Sequence, residues 1–324
     1  MTFRAVLYVR PFVILNCQFF YRRYGMGEML IKAEGLCKDY GKKSVLHDVD
    51  FTINKGDIYG LVGKNGAGKT TIMRIMTGLQ VPTKGTISYG FDRTRLGSVG
   101  ALVELPSIYA NKSAYENIKF QYLNLGLKVD DSINEILHLV GLDNTGNKPA
   151  GKFSLGMRQR LGIAMAMVGD PEVLVLDEPI NGLDPQGIIG VRDLLIRLNR
   201  EKGITVIISS HILSELSKLA TRYAFIDDGR IIRECSEYDI EHAGEKLIII
   251  SCDKSSEYCT LLTDKGYKAE TVTNPDKVTI HGEADITDIV LLARDGGIKI
   301  TDFRTVETDL EEFYVGVVGG NKNV

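Results

Sequence analysis

Three features that the chain lacks narrow its possible functions. No run of about 18 or more apolar residues occurs in its 324 residues, so we expect no membrane-spanning helix. The formal net charge is only −3, which provides no bulk positive field to hold nucleic acid. The five cysteines are scattered and form no C-x-x-C pair, so we expect free thiols in a reducing cytoplasm. Hydrophobic residues make up 44% of the chain, which is ordinary for a globular protein.

The first 25 residues raise a separate question. Their apolar segment "AVLYVRPFVILNCQFF" is split by Arg10 and Pro11 into pieces too short to cross a membrane, and it has some features of a signal sequence. We favour a translation start at Met26, because Met26 and Met29 directly precede the first well-patterned segment. Residues 1–25 are therefore expected to be an N-terminal extension of doubtful translation.

The most specific motif is a glycine-rich loop between a strand pattern and a helix pattern. Residues 58–62 are an apolar run, residues 63–70 match G-x-x-x-x-G-K-[ST], and apolar residues at 72, 75 and 76 follow at helical spacing. Glycines let successive N–H groups point at phosphate oxygens, and the helix presents its positive end to the same anion. We expect Lys69 to reach the β- and γ-phosphates and the Thr70 hydroxyl to ligate Mg²⁺. The predicted nucleotide-binding residues of this loop are Gly63, Lys64, Asn65, Gly66, Ala67, Gly68, Lys69, Thr70 and Thr71.

Polar residues follow two further apolar runs. The run 173–176 is followed by Asp177 and Glu178, and the run 205–208 leads to His211. Open α/β sheets bind ligands at the carboxyl ends of their strands, so we expect these side chains beside the glycine-rich loop. Asp177 is the expected Mg²⁺ partner through water, Glu178 the general base that polarises water, and His211 a γ-phosphate contact.

A second anion-binding helix end is predicted at Ser154. The segment "FSLGMRQRLGIAMAMVGDP" places Ser154 and Gly156 before a helix rich in Ala, Met and Leu. One phosphate cradle does not need two such ends. We therefore expect two subunits arranged head to tail, with Ser154 of one chain closing over nucleotide held by Lys69 of the other.

The order of these motifs resembles the ATP-binding subunits of ABC transporters. Residues 63–70 resemble the Walker A loop, "VLVLDEP" the Walker B strand with its catalytic glutamate, and "NGLDP", which contains Asp184, the D-loop. His211 is similar to the switch histidine and Tyr40 to the aromatic residue that stacks on adenine. The resemblance implies an α/β P-loop NTPase cassette with a mixed sheet core and a helical subdomain at about 105–165, and it implies ATP and Mg²⁺ as cofactors.

Two departures from the family pattern stand out. "FSLGM" lies at the signature and keeps Ser154 and Gly156, but it has Leu155 and Met157 where the usual form has Gly and Gln. Glu104 stands where the family usually has the glutamine of the Q-loop, and we expect it near Mg²⁺ as a further candidate ligand. With these departures the chain looks most like exporters of the bacitracin and lantibiotic type.

The resemblance also implies partners and a location. We expect a homodimer around MgATP, a separate transmembrane permease subunit, no nucleic acid, and a cytoplasmic protein peripheral on the inner face of the membrane. An exporter of another substrate stays open. So does an ABC ATPase of translation or DNA repair, although the chain has neither a second cassette nor long coiled coils. A P-loop kinase or small GTPase would lack the "FSLGM" and His211 elements.

The motifs end after the cassette, which we assign to residues 26–236. Residues 237–324 show a β-α-β-β-α-β pattern, which predicts a small α+β domain of the ferredoxin-like kind. His281, Cys252 and Cys259 lack metal-ligand spacing there and are expected to be structural.

Overall fold

A computed structural model describes residues 27–104, 106–241, 243, 246–271, 276–306 and 310–319. The chain divides into two compact units between Glu237 and Tyr238. The predicted N-terminal extension, residues 1–25, lies outside the described residues. The four described cysteines form no disulfide with one another: Cys37, Cys235, Cys252 and Cys259.

The first unit is built around a six-stranded sheet. Its strands, in order across the sheet, are β5 (Val99–Leu102), β6 (Val173–Leu176), β7 (Thr205–Ser210), β3 (Ile58–Val62), β8 (Arg222–Asp227) and β9 (Arg230–Ser236). All neighbouring strands are parallel except β8 and β9, which form a hairpin. Every residue of β3, β6 and β7 is buried, which explains their mostly apolar sequences. The hairpin turns at Asp228 and Gly229, both of which have positive φ.

An antiparallel sheet shares a hydrophobic cluster with β3 and the helix that follows it. Its order is β2 (Lys43–Asn54), β1 (Met29–Tyr40), β4 (Lys84–Tyr89). Leu36 and Phe51 of this sheet belong to the same buried cluster as Tyr59 of β3. This packing fixes the strand that leads into the glycine-rich loop.

Three of the helices described in the first unit begin at a residue whose side chain caps them. They are α1 (Lys69–Met76), α2 (Ala114–Asn124), α3 (Ser132–Leu139), α4 (Leu155–Ala166), α5 (Pro185–Lys202) and the short α6 (Leu213–Leu216). Ser113 and Glu116 form a capping box at α2, and the side chains of Ser154 and Asp184 cap α4 and α5. Both α2 and α3 lie within the range predicted for the helical subdomain, about 105–165.

A polar pair lies within the core next to β3. The Tyr59 hydroxyl donates to Oε1 of Glu234 at 2.5 Å, which joins β3 to the edge strand β9. Burial raises the pKa of the Tyr59 hydroxyl well above its usual value and also raises the pKa of the Glu234 carboxyl. Nη1 of Arg222 lies 3.5 Å from Oδ2 of Asp57, which adds an ion pair to the same region.

The second unit has the predicted β-α-β-β-α-β order, with one helix before it and one after it. After α7 (Glu237–Glu241) come β10 (Leu247–Cys252), α8 (Ser255–Asp264), β11 (Lys268–Thr271), β12 (Lys277–His281), α9 (Ile286–Asp295), β13 (Ile300–Val306) and α10 (Leu310–Val318). The strands are antiparallel in the order β11-β12-β10-β13. Ile250, Tyr258 and Ile289 are fully buried in its own hydrophobic core. Within the described residues, no helix combines the length and apolar character that crossing a membrane requires.

Candidate active site

The carboxyl ends of the parallel strands meet at one edge of the sheet. Leu102 is in register with Leu176, and Leu176 with Ile208, so the residues after β5, β6 and β7 lie side by side. A cavity of about 540 Å³ opens at this edge. Predicted site residues that line it are Asn65, Gly66, Gly68, Lys69, Thr70, Thr71, Glu104, Leu155, Asp177 and Glu178.

Other predicted residues do not line this cavity of the single chain. They are Tyr40, Gly63, Lys64, Ala67, Ser154, Gly156, Met157, Asp184 and His211. Some of them support lining residues by direct contact, as His211 supports Glu178. Ser154 and Asp184 serve as helix caps, accepting hydrogen bonds from backbone N–H groups three residues ahead.

The backbone of the glycine-rich loop adopts φ values and a close approach that residues with a side chain do not tolerate. Gly66 and Gly68 have φ values of 83° and 116°, a region that L-residues rarely adopt. At Gly63 an added Cβ would lie 2.3 Å from the carbonyl oxygen of Ile226, so no larger residue fits. Gly68 is the cap residue of α1, which therefore begins directly at the loop.

Lys69 is a buried cation at the centre of this loop. Its side chain is only 7% exposed, and Nζ donates to the carbonyl oxygens of Gly63 at 2.6 Å and Lys64 at 3.2 Å. Oε1 of Glu178 lies 3.7 Å from Nζ. A buried ammonium requires such compensation, and this arrangement offers one positive charge to an entering anion.

Asp177 is held by two hydroxyl groups. Thr70 Oγ1 donates to Oδ2 at 2.7 Å, and Ser209 Oγ donates to Oδ1 at 2.5 Å. The same Ser209 oxygen accepts from the backbone N–H of Glu178 at 2.9 Å. Ser209 was missed in the sequence, because a serine within an apolar strand gives no signal beyond its position two residues before His211.

Glu178 is held between two basic side chains. Nδ1 of His211 lies within hydrogen-bond distance of Oε2 at 2.7 Å, while Oε1 faces Lys69. The Glu178 backbone has a φ of 49°, which is uncommon for a residue with a side chain and is typical of functional sites. Both carboxylate oxygens are thus oriented at the cavity wall.

Glu104 has a partner that the sequence did not predict. Its carboxylate forms an ion pair with Nη2 of Arg74 on α1, and its side chain is 62% exposed. Its φ is 72°, so this residue too has an uncommon backbone conformation. Glu104 lines the cavity at the edge of the sheet, but its assignment as a metal ligand stays a prediction.

Tyr40 and the signature residue Ser154 are exposed on the surface of the single chain. Tyr40 is 41% exposed, its hydroxyl donates to Gln80, and Nζ of Lys38 lies 5.3 Å from its ring centroid. Its predicted stacking on adenine stays a prediction. The described residues contain no group of three or more His, Cys, Asp or Glu side chains able to hold a metal by themselves. The oxygen donors of Thr70 and Asp177 are nevertheless the kind that Mg²⁺ prefers, and phosphate oxygens would complete such a site.

Comparison with known proteins shows the family of this chain. Residues 46–181 match the ABC transporter family model. The chain is 35% identical over 306 residues to the bacitracin transport ATP-binding protein BcrA of Bacillus licheniformis, a match that covers 90% of this chain and 98% of that protein. The chain belongs to the ABC transporter ATP-binding proteins.

Two further similarities agree with this assignment. The ABC protein is 46% identical over 213 residues to the lantibiotic transport ATP-binding protein SrtF of Streptococcus pyogenes, covering 65% of this chain and 92% of SrtF. It superposes on the solved structure of cbiO1 from Clostridium perfringens with a TM-score of 0.59 at 27% identity, covering 66% and 90% of the two chains. The predicted ABC cassette fold and the family are confirmed. The chain is an ATP-hydrolysing subunit of a transporter.

Ser209 provides a test of the site geometry. Ser209→Ala removes the hydroxyl that holds Asp177 and the backbone of Glu178, so ATP hydrolysis at limiting Mg²⁺ should fall by about tenfold or more. The measurement is phosphate release as a function of Mg²⁺ concentration. Ser98→Ala is the control, because Ser98 is similarly buried just before β5 and its hydroxyl donates to the Arg93 carbonyl oxygen, away from the cavity. Equal activities of the two variants would contradict a supporting role for Ser209.

Proposed function

We propose that this ABC subunit powers the export of a peptide antibiotic through a separate membrane permease. The observation that carries the proposal is the extent of the match to a bacitracin transport protein. A match of 306 residues cannot be contained in the first unit, which ends at Glu237, so it includes much of the second unit. The similarity to a lantibiotic transport protein supports the same substrate class.

The site geometry supports a division of roles in ATP hydrolysis. Lys69 and the N–H groups of the glycine-rich loop bind the phosphates, while Glu178 accepts a proton from the attacking water. His211 orients Glu178 through Oε2 and lies near the expected position of the γ-phosphate. When a phosphate group pairs with the Lys69 ammonium, Oε1 of Glu178 would become available to accept the proton.

Thr70 and Asp177 would hold the Mg²⁺ ion. Their oxygens already lie 2.7 Å apart at the cavity, and Ser209 fixes the orientation of the carboxylate. When bound, Mg²⁺ supplies positive charge that neutralises phosphate oxygens as the terminal bond breaks. These assignments, with Glu104 as a third candidate ligand, are part of the proposal.

We further propose that Ser154 and Gly156 act on nucleotide bound by a second copy of the chain. Ser154 caps α4 and lies outside the cavity of its own subunit, although it presents a helix N-terminus suited to phosphate. Asp184 lies at the similar start of α5 and belongs to the same proposed contact surface between copies.

Mixed dimers test this arrangement. A dimer is assembled from one chain with Ser154→Trp and a second chain with Lys69→Ala, each carrying a different affinity tag. In a head-to-tail dimer both lesions fall on one nucleotide site, so the other site stays intact and we expect about half of the unmodified activity. If Ser154 acts within its own chain, both sites are damaged and phosphate release should be lost. Homodimers of each variant are the controls.

A groove on the helical subdomain is the proposed docking site of the permease. A cavity of about 280 Å³ lies between the loop after β5, α2 and α4, with Tyr109 and Gln121 in its wall. Tyr109 is 50% exposed and packs edge-to-face on Phe120 at 5.1 Å. We assign the aromatic residues Tyr109, Phe120 and Tyr115 to this docking site. Docking there would place the protein at the cytoplasmic face of the membrane. We propose no nucleic acid partner for it.

Antibiotic resistance tests the proposed substrate class. The chain is co-expressed with each candidate permease from its own genome in a host sensitive to bacitracin and to a lantibiotic. We expect resistance to at least one of these peptides, and we expect it to be lost when Lys69→Ala removes the phosphate-binding ammonium. A stable complex with ATPase activity but no resistance would favour an exporter of another substrate. Absence of any complex with the permease would contradict the transport role.

A further inference from the structure

The nucleotide cavity contains an excess of negative side chains. Glu104, Asp177 and Glu178 line it against two lysines, Lys43 and Lys69, and the expected ligand is itself a polyanion. Lys69 is already engaged with loop carbonyl oxygens and faces Glu178. Glu104 therefore adds a negative charge that the glutamine usual at this position would not add.

Arg74 lies where it can compensate that charge. It is on α1, five residues after Lys69, and its Nη2 donates to Oε1 of Glu104. Arg74 does not line the cavity, so it lies behind the carboxylate rather than beside the expected phosphates. A five-residue separation corresponds to about 7.5 Å along a helix, so one rigid element carries both cations.

The backbone of Glu104 gives a second reason for such a partner. Its φ of 72° is costly for a residue with a side chain and is maintained only by the surrounding contacts. Among the described residues, the Arg74 guanidinium pairs with this carboxylate. A bond from the side chain to α1 fixes the loop after β5 relative to the helix that binds phosphate.

We infer that Arg74 is a positioning residue for Glu104, and that it both cancels the carboxylate charge and holds the loop against α1. This contact allows the chain to use glutamate where similar cassettes use glutamine. The inference rests on the proposed function in one respect only, namely that the cavity binds ATP. Arg74 itself is not proposed to contact nucleotide or metal.

An exposed ion pair by itself contributes little free energy. The test must therefore distinguish the effect of the position of Arg74 from the effect of removing any surface charge. The pair of Lys32 and Glu34 provides the comparison, because it joins two exposed side chains of β1, neither of which lines the cavity. Lys32→Gln removes one positive charge from the surface, as Arg74→Gln does. The Lys32 variant should behave as the unmodified chain does.

A double-mutant cycle tests the inference on the full chain. ATP hydrolysis is measured for the unmodified chain, Arg74→Gln, Glu104→Gln and the double variant. Arg74→Gln should raise the KM for ATP by about three- to tenfold, with kcat changed by less, because an uncompensated carboxylate then faces an anionic substrate. In the Glu104→Gln background the same substitution should change KM by less than about twofold, since no carboxylate is left to compensate. Arg74→Lys should restore much of the affinity, and high salt should reduce the defect of Arg74→Gln.

The outcomes separate this inference from the proposed function. Equal effects of Arg74→Gln in both backgrounds would show that Arg74 supports only its own helix, and no effect in either would show a surface residue; both results overturn the inference. Failure of the unmodified chain to hydrolyse ATP would instead contradict the proposed mechanism. In that case the dissociation constant for ATP, measured by equilibrium binding, carries the same four-variant comparison.

Discussion

The buried ammonium of Lys69 is the interaction on which the site depends. Removing a positive charge from water is costly, and here the cost is offset by two loop carbonyl oxygens and by Glu178. Those carbonyls can converge only because Gly66 and Gly68 accept positive φ and Gly63 passes within contact of Ile226. The loop, its lysine and the carboxylate opposite are therefore one electrostatic unit, into which a phosphate group can enter by replacing neutral oxygens with charged ones.

The parallel sheet places the partners of that unit. Because β5, β6 and β7 end in register, the chain delivers Glu104, Asp177 and His211 to the same edge from segments far apart in sequence. Glu104 and Glu178 both lie just beyond a strand and both have positive φ. Uncommon backbone conformations at two carboxylates beside one cavity indicate that their placement is maintained by contacts, from Arg74 in one case and from His211 and Ser209 in the other.

Much of this arrangement could be predicted from the sequence, because local motifs report local geometry. The glycine-rich loop, the strands before Asp177 and His211, the capped helix at Ser154 and the order of elements after residue 246 all depend on neighbouring residues. The pairs that join distant segments gave no such signal. Ser209 lies 32 residues from Asp177, and Arg74 lies 30 residues from Glu104. The roles of Tyr40 and of Ser154 involve groups outside one chain, so a single chain tests neither.

The central claim is that this edge of the sheet hydrolyses ATP with Glu178 as the base, and Glu178→Gln tests it most directly. The amide keeps the size of the side chain and can still contact His211, but it cannot accept a proton from water. Phosphate release and molecular mass are measured on the same sample in MgATP. We expect ATP binding to persist, a stable dimer of the 35.8 kDa chain, and hydrolysis reduced by about 100-fold or more. Turnover close to that of the unmodified chain would contradict the account.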